Sequence, residues 1–370
     1  MLSLTATELP RFMACNGSRL LGGVSPFDTD RTLADEGDAA HWLIEQVFNG
    51  HFSAEELVDR KAPNGVFITA EMVDDTDEYL TALNNDRNNG YKVELETDTS
   101  YSGEGWQIRG RTDCKSLSEF NTELIVRDFK YGWRIVEPKE NWTLISHAIG
   151  TLSSAGSDVL QAVKIVRFQI YQPRPYHPEG TVREWVISYS ELMEYWQQLN
   201  SALSNPTNTC QTGEQCYKCP SRSQCPAAQM ASMNAVDVAY AAYNSEVDND
   251  RLAWQLDNLS RAQEHLKQMQ DAYEDLAMHR LQAGQSVGDY AVSIGKGRTR
   301  WNDGLDADIV AMLTGVDVSK KELVTPTQAG KLGISPEVLS TLTNRPNTGV
   351  KLVKQSVDKR ATALFGKKGR

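Results

Sequence analysis

No apolar run in this 370-residue chain reaches the roughly 18 residues that a membrane-spanning helix needs. No membrane partner is therefore expected. The sequence also lacks the charged segment and short apolar core of a secretory leader, so a cytoplasmic protein is expected. Internal repeats and low-complexity tracts are missing too, which excludes solenoids, propellers and long flexible linkers. Positive charge is scarce: 38 Lys and Arg face 49 Asp and Glu, for a net charge of −11. A chain of that balance does not coat nucleic acid through bulk charge. The deficit is uneven, because Lys296 to Arg370 hold 14 Lys and Arg against 7 Asp and Glu, a net of +7 that leaves −18 on the preceding part. Contact with a polyanion is thus expected from the C-terminal part.

Cysteine is rare as well, with six residues: Cys15, Cys114, Cys210, Cys216, Cys219 and Cys225. The run from Cys216 to Cys225 has the spacing C-x₂-C-x₅-C, too tight and too polar for a disulfide framework. A soft metal explains it better. Four thiolates complete a zinc or iron–sulfur site, and the residues leave two ways to supply the fourth. Cys210 is near in sequence and would close a local zinc knuckle, whereas Cys15 would join the cluster from far upstream. Cys114 alternates away from its neighbour Asp113 and reads as a small core residue.

Against these shortages stands one concentrated feature. Gly110-Arg111-Thr112-Asp113 and Val126-Arg127-Asp128-Phe129-Lys130 flank the polar stretch Glu119 to Thr122, which reads as the turn of a hairpin. That turn sets Asp113 opposite Asp128, with Lys130 on the same face. Two facing carboxylates lie roughly 5 Å apart and repel, so stability alone gives no reason to keep them. A hard cation such as Mg²⁺ or Mn²⁺ between them does. Leu124-Ile125-Val126 leads into Asp128 as a continuous apolar run, the pattern of a strand buried on both faces. Upstream, Asp35 to Gly50 reads as an amphipathic helix with Ala40, Leu43, Ile44 and Val47 on one stripe, and Gly37 and His41 share a face one turn apart.

Gly-x-x-Asp followed by Asp-x-Lys at the end of an apolar strand resembles the PD-(D/E)XK nuclease superfamily, and in detail its RecB-like branch. That branch carries a Gly-x-x-x-His helix upstream, matched here by Gly37 and His41. The resemblance implies that His41, Asp113 and Asp128 hold a Mg²⁺ or Mn²⁺ ion, with the Phe129 carbonyl completing the shell, and that Lys130 assists the attacking water. RecB-like nucleases of the AddB type also place one cysteine before the core and three after it with C-x₂-C-x₅-C spacing. The resemblance therefore favours a [4Fe–4S] cluster on Cys15, Cys216, Cys219 and Cys225 over Zn²⁺ with Cys210. Where the branch has Gln-x-x-x-Tyr after Asp-x-Lys, this chain has Thr143 and His147, a departure that leaves the metal ligands untouched and bears on strand preference and turnover. A wider resemblance, to uncharacterised phage-borne proteins, rests on Ile170 to Arg174, the cysteine run, Thr325 to Lys331 and Ser356 to Arg360. It implies a phage origin and the host cytoplasm.

The expected fold is α/β: a restriction-endonuclease-like mixed sheet flanked by helices and closed by a four-cysteine metal cluster, with a mainly helical C-terminal region. Residues 1–230 are expected to form the nuclease domain and 231–370 a long helix plus a small basic region. Helices are expected within 1–50, over 64–90, 141–155 and 189–203, and strands over 92–96, 106–130 and 163–170. Leu252, Leu259, Leu266 and Tyr273 recur every seven residues, with Ala262, Met269 and Leu276 between them, so 250–283 reads as one helix with a narrow apolar seam. The seam packs against the chain's own helices or, alternatively, against a second copy or a phage recombination partner. Beyond it come an expected strand over 290–294 and the basic, aromatic Lys296 to Trp301, suited to a phosphate backbone. The expected activity is metal-dependent hydrolysis of DNA, by an exonuclease acting in phage recombination, replication or processing. The alternative is a non-catalytic DNA-binding or assembly protein on the same scaffold.

Overall fold

The run Leu124-Ile125-Val126 becomes the middle of a sheet because both of its faces find apolar cover. In the computed structural model, which describes residues 2–19, 21, 31–207, 209–217, 219–241 and 248–292, these three residues are buried. The described elements are β1 (Leu2–Thr5), α1 (Leu9–Ala14), α2 (Thr32–Phe48), α3 (Ala54–Leu57), α4 (Ala70–Asn88), β2 (Lys92–Asp98), β3 (Tyr101–Gly103), β4 (Trp106–Arg109) and β5 (Arg111–Leu117). They continue with β6 (Glu123–Phe129), α5 (Trp142–Ser153), α6 (Ser157–Ala162), β7 (Ile165–Tyr171), β8 (Val182–Ser188), α7 (Tyr189–Ser204), α8 (Pro226–Ala241) and α9 (Asn249–Gln282). Two mixed sheets result. One has the order β2-β5-β6-β7-β8, antiparallel throughout except for the parallel pair β6 and β7. The other is β1-β4-β3, in which β1 runs parallel to β4.

The hairpin turn falls at Ser118 to Thr122, with Asn121 at φ 56 supplying the left-handed residue. Cys114 pairs with Arg127 and Leu117 with Leu124, and continuing that ladder by one residue sets Asp113 opposite Asp128. The even-numbered residues Leu124 and Val126 face α5 and α7 with Phe168, Ile170, Leu144 and Ala148. The opposite face packs Cys114, Phe129 and Tyr171 against Ala40, Leu43, Tyr79 and Leu83 of α2 and α4. On that second face the buried Arg127 donates to Asp86 of α4 at 2.6 Å, to Ser116 at 2.9 Å and to Gln169 at 2.7 Å. Its charge and its donors are matched, as a buried guanidinium requires.

Gly110, between β4 and β5, is where one extended segment leaves the small sheet and enters the large one. A methyl there would meet Thr99 Oγ1 at 2.7 Å and His147 Nδ1 at 3.2 Å, so the close approach of α5 demands glycine. Gly150, one turn further along α5, lies directly against the Thr99 carbonyl, where a Cβ has no room.

Several expectations shift. The helix read from residue 64 starts at Ala70, capped by Thr69, whose hydroxyl accepts from Met72 N–H at 3.1 Å. β1, β3 and β8 are not among the expected strands. Over 290–294 the described residues 290–292 form only an isolated bridge from Tyr290 to Val287. In α9 the heptad leucines Leu252, Leu259 and Leu266 and also Tyr273 are exposed, while Gln268, Met269 and Ala272 are buried. The helix therefore packs on α8 and the cysteine region through the side of the seam that carries Met269, with Ala262 and Leu276 half-buried, while the leucine side faces out. By contacts the chain divides into Met1–Ser293 and Ile294–Arg370, so α8 and α9 fall in the same unit as the sheets. Lys296 to Trp301, Thr325 to Lys331 and Ser356 to Arg360 lie outside the described residues. No described helix is long and apolar enough to cross a membrane.

Candidate metal centres

The open ends of β2, β5 and β6 converge beside α2. The amphipathic register of α2 sends Ala40, Leu43 and Ile44 into the core and leaves His41 on the margin of that stripe, against the strand ends. His41 Nε2 lies 3.9 Å from Asp113 Oδ2 and its Nδ1 lies 3.4 Å from Glu96 Oε1. Among the described residues these three form the one set of His, Cys, Asp or Glu donors lying mutually within 4.8 Å. Two carboxylates and an imidazole at that spacing suit a divalent ion that accepts oxygen and nitrogen, as Mn²⁺ does readily. Asp113 is held in place by the Phe129 N–H, which donates to its Oδ2 at 2.8 Å. The Phe129 ring supports His41 edge-on, with centroids 5.9 Å apart.

Asp128 is buried and engages Lys130, whose Nζ donates to Oδ1 at 2.8 Å. It is not one of the three close donors. Glu96 takes that place, and the sequence reading missed it, because residues 92–96 read only as a strand. The pairs Leu95 with Cys114 and Thr97 with Thr112 bracket Glu96 opposite Asp113. Glu96 itself has φ 48, a left-handed conformation that costs a non-glycine residue of order 1 kcal/mol or more. Arg111 Nε holds its other oxygen at 2.9 Å. The signal that could have found it is the acidic residue facing Asp113 once β2 is paired with β5.

The electrostatics follow from this crowding. Burial pushes the Asp113 carboxyl up, and Asp128 adds to it, against the pull of His41 and Lys130, leaving it at about 6. Burial lowers His41, but Asp113 and Glu96 outweigh it and raise the imidazole to about 9. Burial likewise opposes the charge on Lys130, and Asp128 with Asp113 reverses that and holds the ammonium above its ordinary value. The metal-free site is thus an acidic cluster whose countercharges are His41, Arg111 and Lys130.

Of the two positions that depart from Gln-x-x-x-Tyr, Thr143 is engaged with the N-terminal segment, whereas His147 lies within electrostatic reach of Asp128 and Lys130. Thr143 Oγ1 donates to the Ala6 carbonyl at 3.4 Å, and the buried His147 pairs its Nδ1 with Thr99 Oγ1 at 2.8 Å.

Cys15, at the end of α1, meets Cys216, Cys219 and Cys225 around one small cavity, although about 200 residues separate it from them. All four are buried. The chain reaches this arrangement through short turns rather than long elements: 3₁₀ segments at Asn16–Arg19, Glu214–Cys216 and Arg222–Gln224. Backbone groups point at the sulfurs, including Gln211 N–H at 3.4 Å from Cys15 Sγ. Burial raises the Cys216 and Cys219 thiols, so metal binding would have to release their protons. Cys210 does not line the cavity but adjoins Cys225 and Cys15, and burial together with those two neighbours pushes its thiol up to about 11. Cys114 is a buried core residue, as its alternation implied.

The chain belongs to the family described as protein of unknown function (DUF2800), which matches residues 2–361. No curated protein matches it.

Proposed function

We propose that this DUF2800 protein is a metal-dependent deoxyribonuclease whose fold is tied shut by a [4Fe–4S] cluster. The observation that carries the reading is the convergence of His41, Glu96 and Asp113, with Asp128 and Lys130 beside them, at the ends of three strands. Bound there, a Mg²⁺ or Mn²⁺ ion would polarise a phosphodiester and lower the pKa of a water. Asp113, Glu96 and His41 would hold it, and Asp128 would orient Lys130. Because Lys130 stays charged, it acts by placing the attacking water and offsetting negative charge on the phosphoryl oxygens, not as the base. Action at DNA ends, in phage recombination, replication or processing, is the context this chemistry suits.

Four cysteine sulfurs around one cavity fit a metal cluster. A tetrahedral zinc with Zn–S bonds of about 2.3 Å would bring its sulfurs to about 3.8 Å from one another. Cys210 lies beside Cys15 and Cys225, so Zn²⁺ is the alternative to the cluster. The second reading, a DNA-binding or assembly protein without turnover, is favoured by Thr143, which is committed to a structural bond. The deciding experiment incubates anaerobically purified protein with end-labelled linear DNA and with circular DNA, with and without Mn²⁺. Mn²⁺-dependent shortening from the ends supports the exonuclease; binding with no cleavage of either substrate supports the second reading.

A further inference from the structure

The chain that leaves β6 after Lys130 is clamped from beneath. Buried Gln172 donates from Nε2 to the carbonyls of Gly132 at 2.9 Å and Arg134 at 2.7 Å, and its Oε1 accepts from Val136 N–H at 3.2 Å. Buried Arg183 donates to that same Gln172 oxygen at 2.7 Å and to the Val136 carbonyl at 2.8 Å. A loop fixed this firmly nevertheless turns large apolar side chains outward. Trp133 is 59% exposed and Ile135 is 46% exposed. Guanidinium groups alternate with the rings: Arg174 lies 3.6 Å from the Tyr131 ring centroid and 5.7 Å from that of Trp133, and Arg134 lies 4.7 Å from that of Tyr217. Tyr217 sits between Cys216 and Cys219, so the row runs from the Asp128 and Lys130 strand to the cysteine-rich turns.

The geometry points to a track for single-stranded DNA, with a base stacked on Trp133 and the backbone phosphates held by Arg134, while Arg174 braces the loop from within. An exposed indole on a rigid loop offers a flat face at little ordering cost, and only an unpaired base can present a matching face, since duplex bases stack on each other. Arg174 shares its charge with Glu36 at 2.6 Å, which orients the guanidinium over the rings and leaves Arg134 and Lys130 as the phosphate contacts. The loop follows Lys130 directly in the chain, so a strand lying on it would be led towards the carboxylates. The choice of DNA rests on the nuclease reading; the preference for an unpaired strand rests on the aromatic row.

The test measures anisotropy of the full chain with a labelled oligothymidylate of about 20 nucleotides, a duplex of equal length and the matching oligouridylate, without Mg²⁺ or Mn²⁺. The unpaired DNA is expected to bind at least about ten-fold tighter than the duplex, Trp133→Ala to lose about ten-fold and Trp133→Phe to keep most of the affinity. Arg134→Ala should flatten the salt dependence. Equal binding of duplex and single strand, full affinity in Trp133→Ala, tighter binding of the RNA strand, or no binding at all would each overturn the track. Since no divalent cation is present, a protein that cleaves nothing still reports here. Conversely, Mn²⁺-dependent cleavage with unchanged strand preference in Trp133→Ala would retain the nuclease and remove the track.

Discussion

The carboxylate centre and the cysteine cavity are built by opposite means. Around His41, Glu96 and Asp113 the scaffold is regular: three paired strands, a helix of 17 residues and apolar cover on both faces of β6. Repelling carboxylates are tolerated because burial of their neighbours holds the strand ends in place with or without a ligand. Among the described residues the cysteine cavity has almost no such support. Its apolar cluster consists of Cys225, Ala228 and Met269, with Leu21, Cys210 and Ala227 at its edge, and its backbone is mostly short turns. Order in the second centre must therefore depend on what the sulfurs bind, and order in the first must not.

The largest effect is expected from the cysteines. Cys15→Ala and Cys219→Ala should lose brown colour, iron and sulfide together and become open to proteolysis well beyond the cavity, because a shared cluster closes a loop of about 200 residues. Cys210→Ala should keep the cluster. Colourless protein carrying one zinc per chain, lost in Cys210→Ala and retained in Cys15→Ala, would reverse the assignment and weaken the contrast between the two centres.

Next comes a probe of the rigid scaffold. Gly150→Ala places a methyl against the Thr99 carbonyl, and since neither α5 nor the β2–β3 connection can yield freely, a loss of about 1–3 kcal/mol is expected in urea unfolding. A change smaller than about 0.5 kcal/mol would mean that the region is softer than its packing implies.

His147 tests the same region through pH. Burial lowers it to about 4, so the unfolded chain takes up a proton near pH 6.5 that the folded chain refuses. Stability contributed by keeping this ring neutral is whole above pH 6.5 and is lost as pH falls towards 4, by roughly 3 kcal/mol at most. His147→Gln should consequently show a shallower fall in Tm from pH 7 to pH 5 than the parent. Parallel profiles would contradict a neutral buried imidazole.

The smallest stability change is expected where the activity change is greatest. Asp113→Asn should abolish Mn²⁺-dependent cleavage, yet alter apo stability by no more than roughly 1 kcal/mol, since relief of repulsion from Asp128 offsets the lost attraction to His41. The amide oxygen can still accept from Phe129 N–H. Full cleavage by the variant would remove Asp113 from the site, and a large loss of apo stability would make it a structural aspartate instead.

Much of the carboxylate centre was legible because its signals are local. A polar turn sets a hairpin register, a continuous apolar run marks a strand covered on both sides, and a 3.6-residue stripe places His41. Glu96 was not legible: its role follows from pairing β2 with β5 and from a left-handed φ that no propensity suggests. The α9 seam was legible by half, since its Met269 position is buried and its leucine position is not. Leucines recur every seven residues, yet the buried stripe runs through Gln268, Met269 and Ala272, selected by contact with α8 and the cysteine turns.

Sequence by itself determined the helix that carries His41, the register of the β5–β6 hairpin and the cysteine spacing, since each depends on residues a few positions apart and on periods of two or 3.6. Only the tertiary structure decided that Cys15 meets Cys216, that Glu96 rather than Asp128 sits with His41 and Asp113, and that Gln172 and Arg183 clamp the loop bearing Trp133. Those contacts join segments tens to hundreds of residues apart, and which of the many possible long-range pairs forms is settled by how the whole apolar core packs.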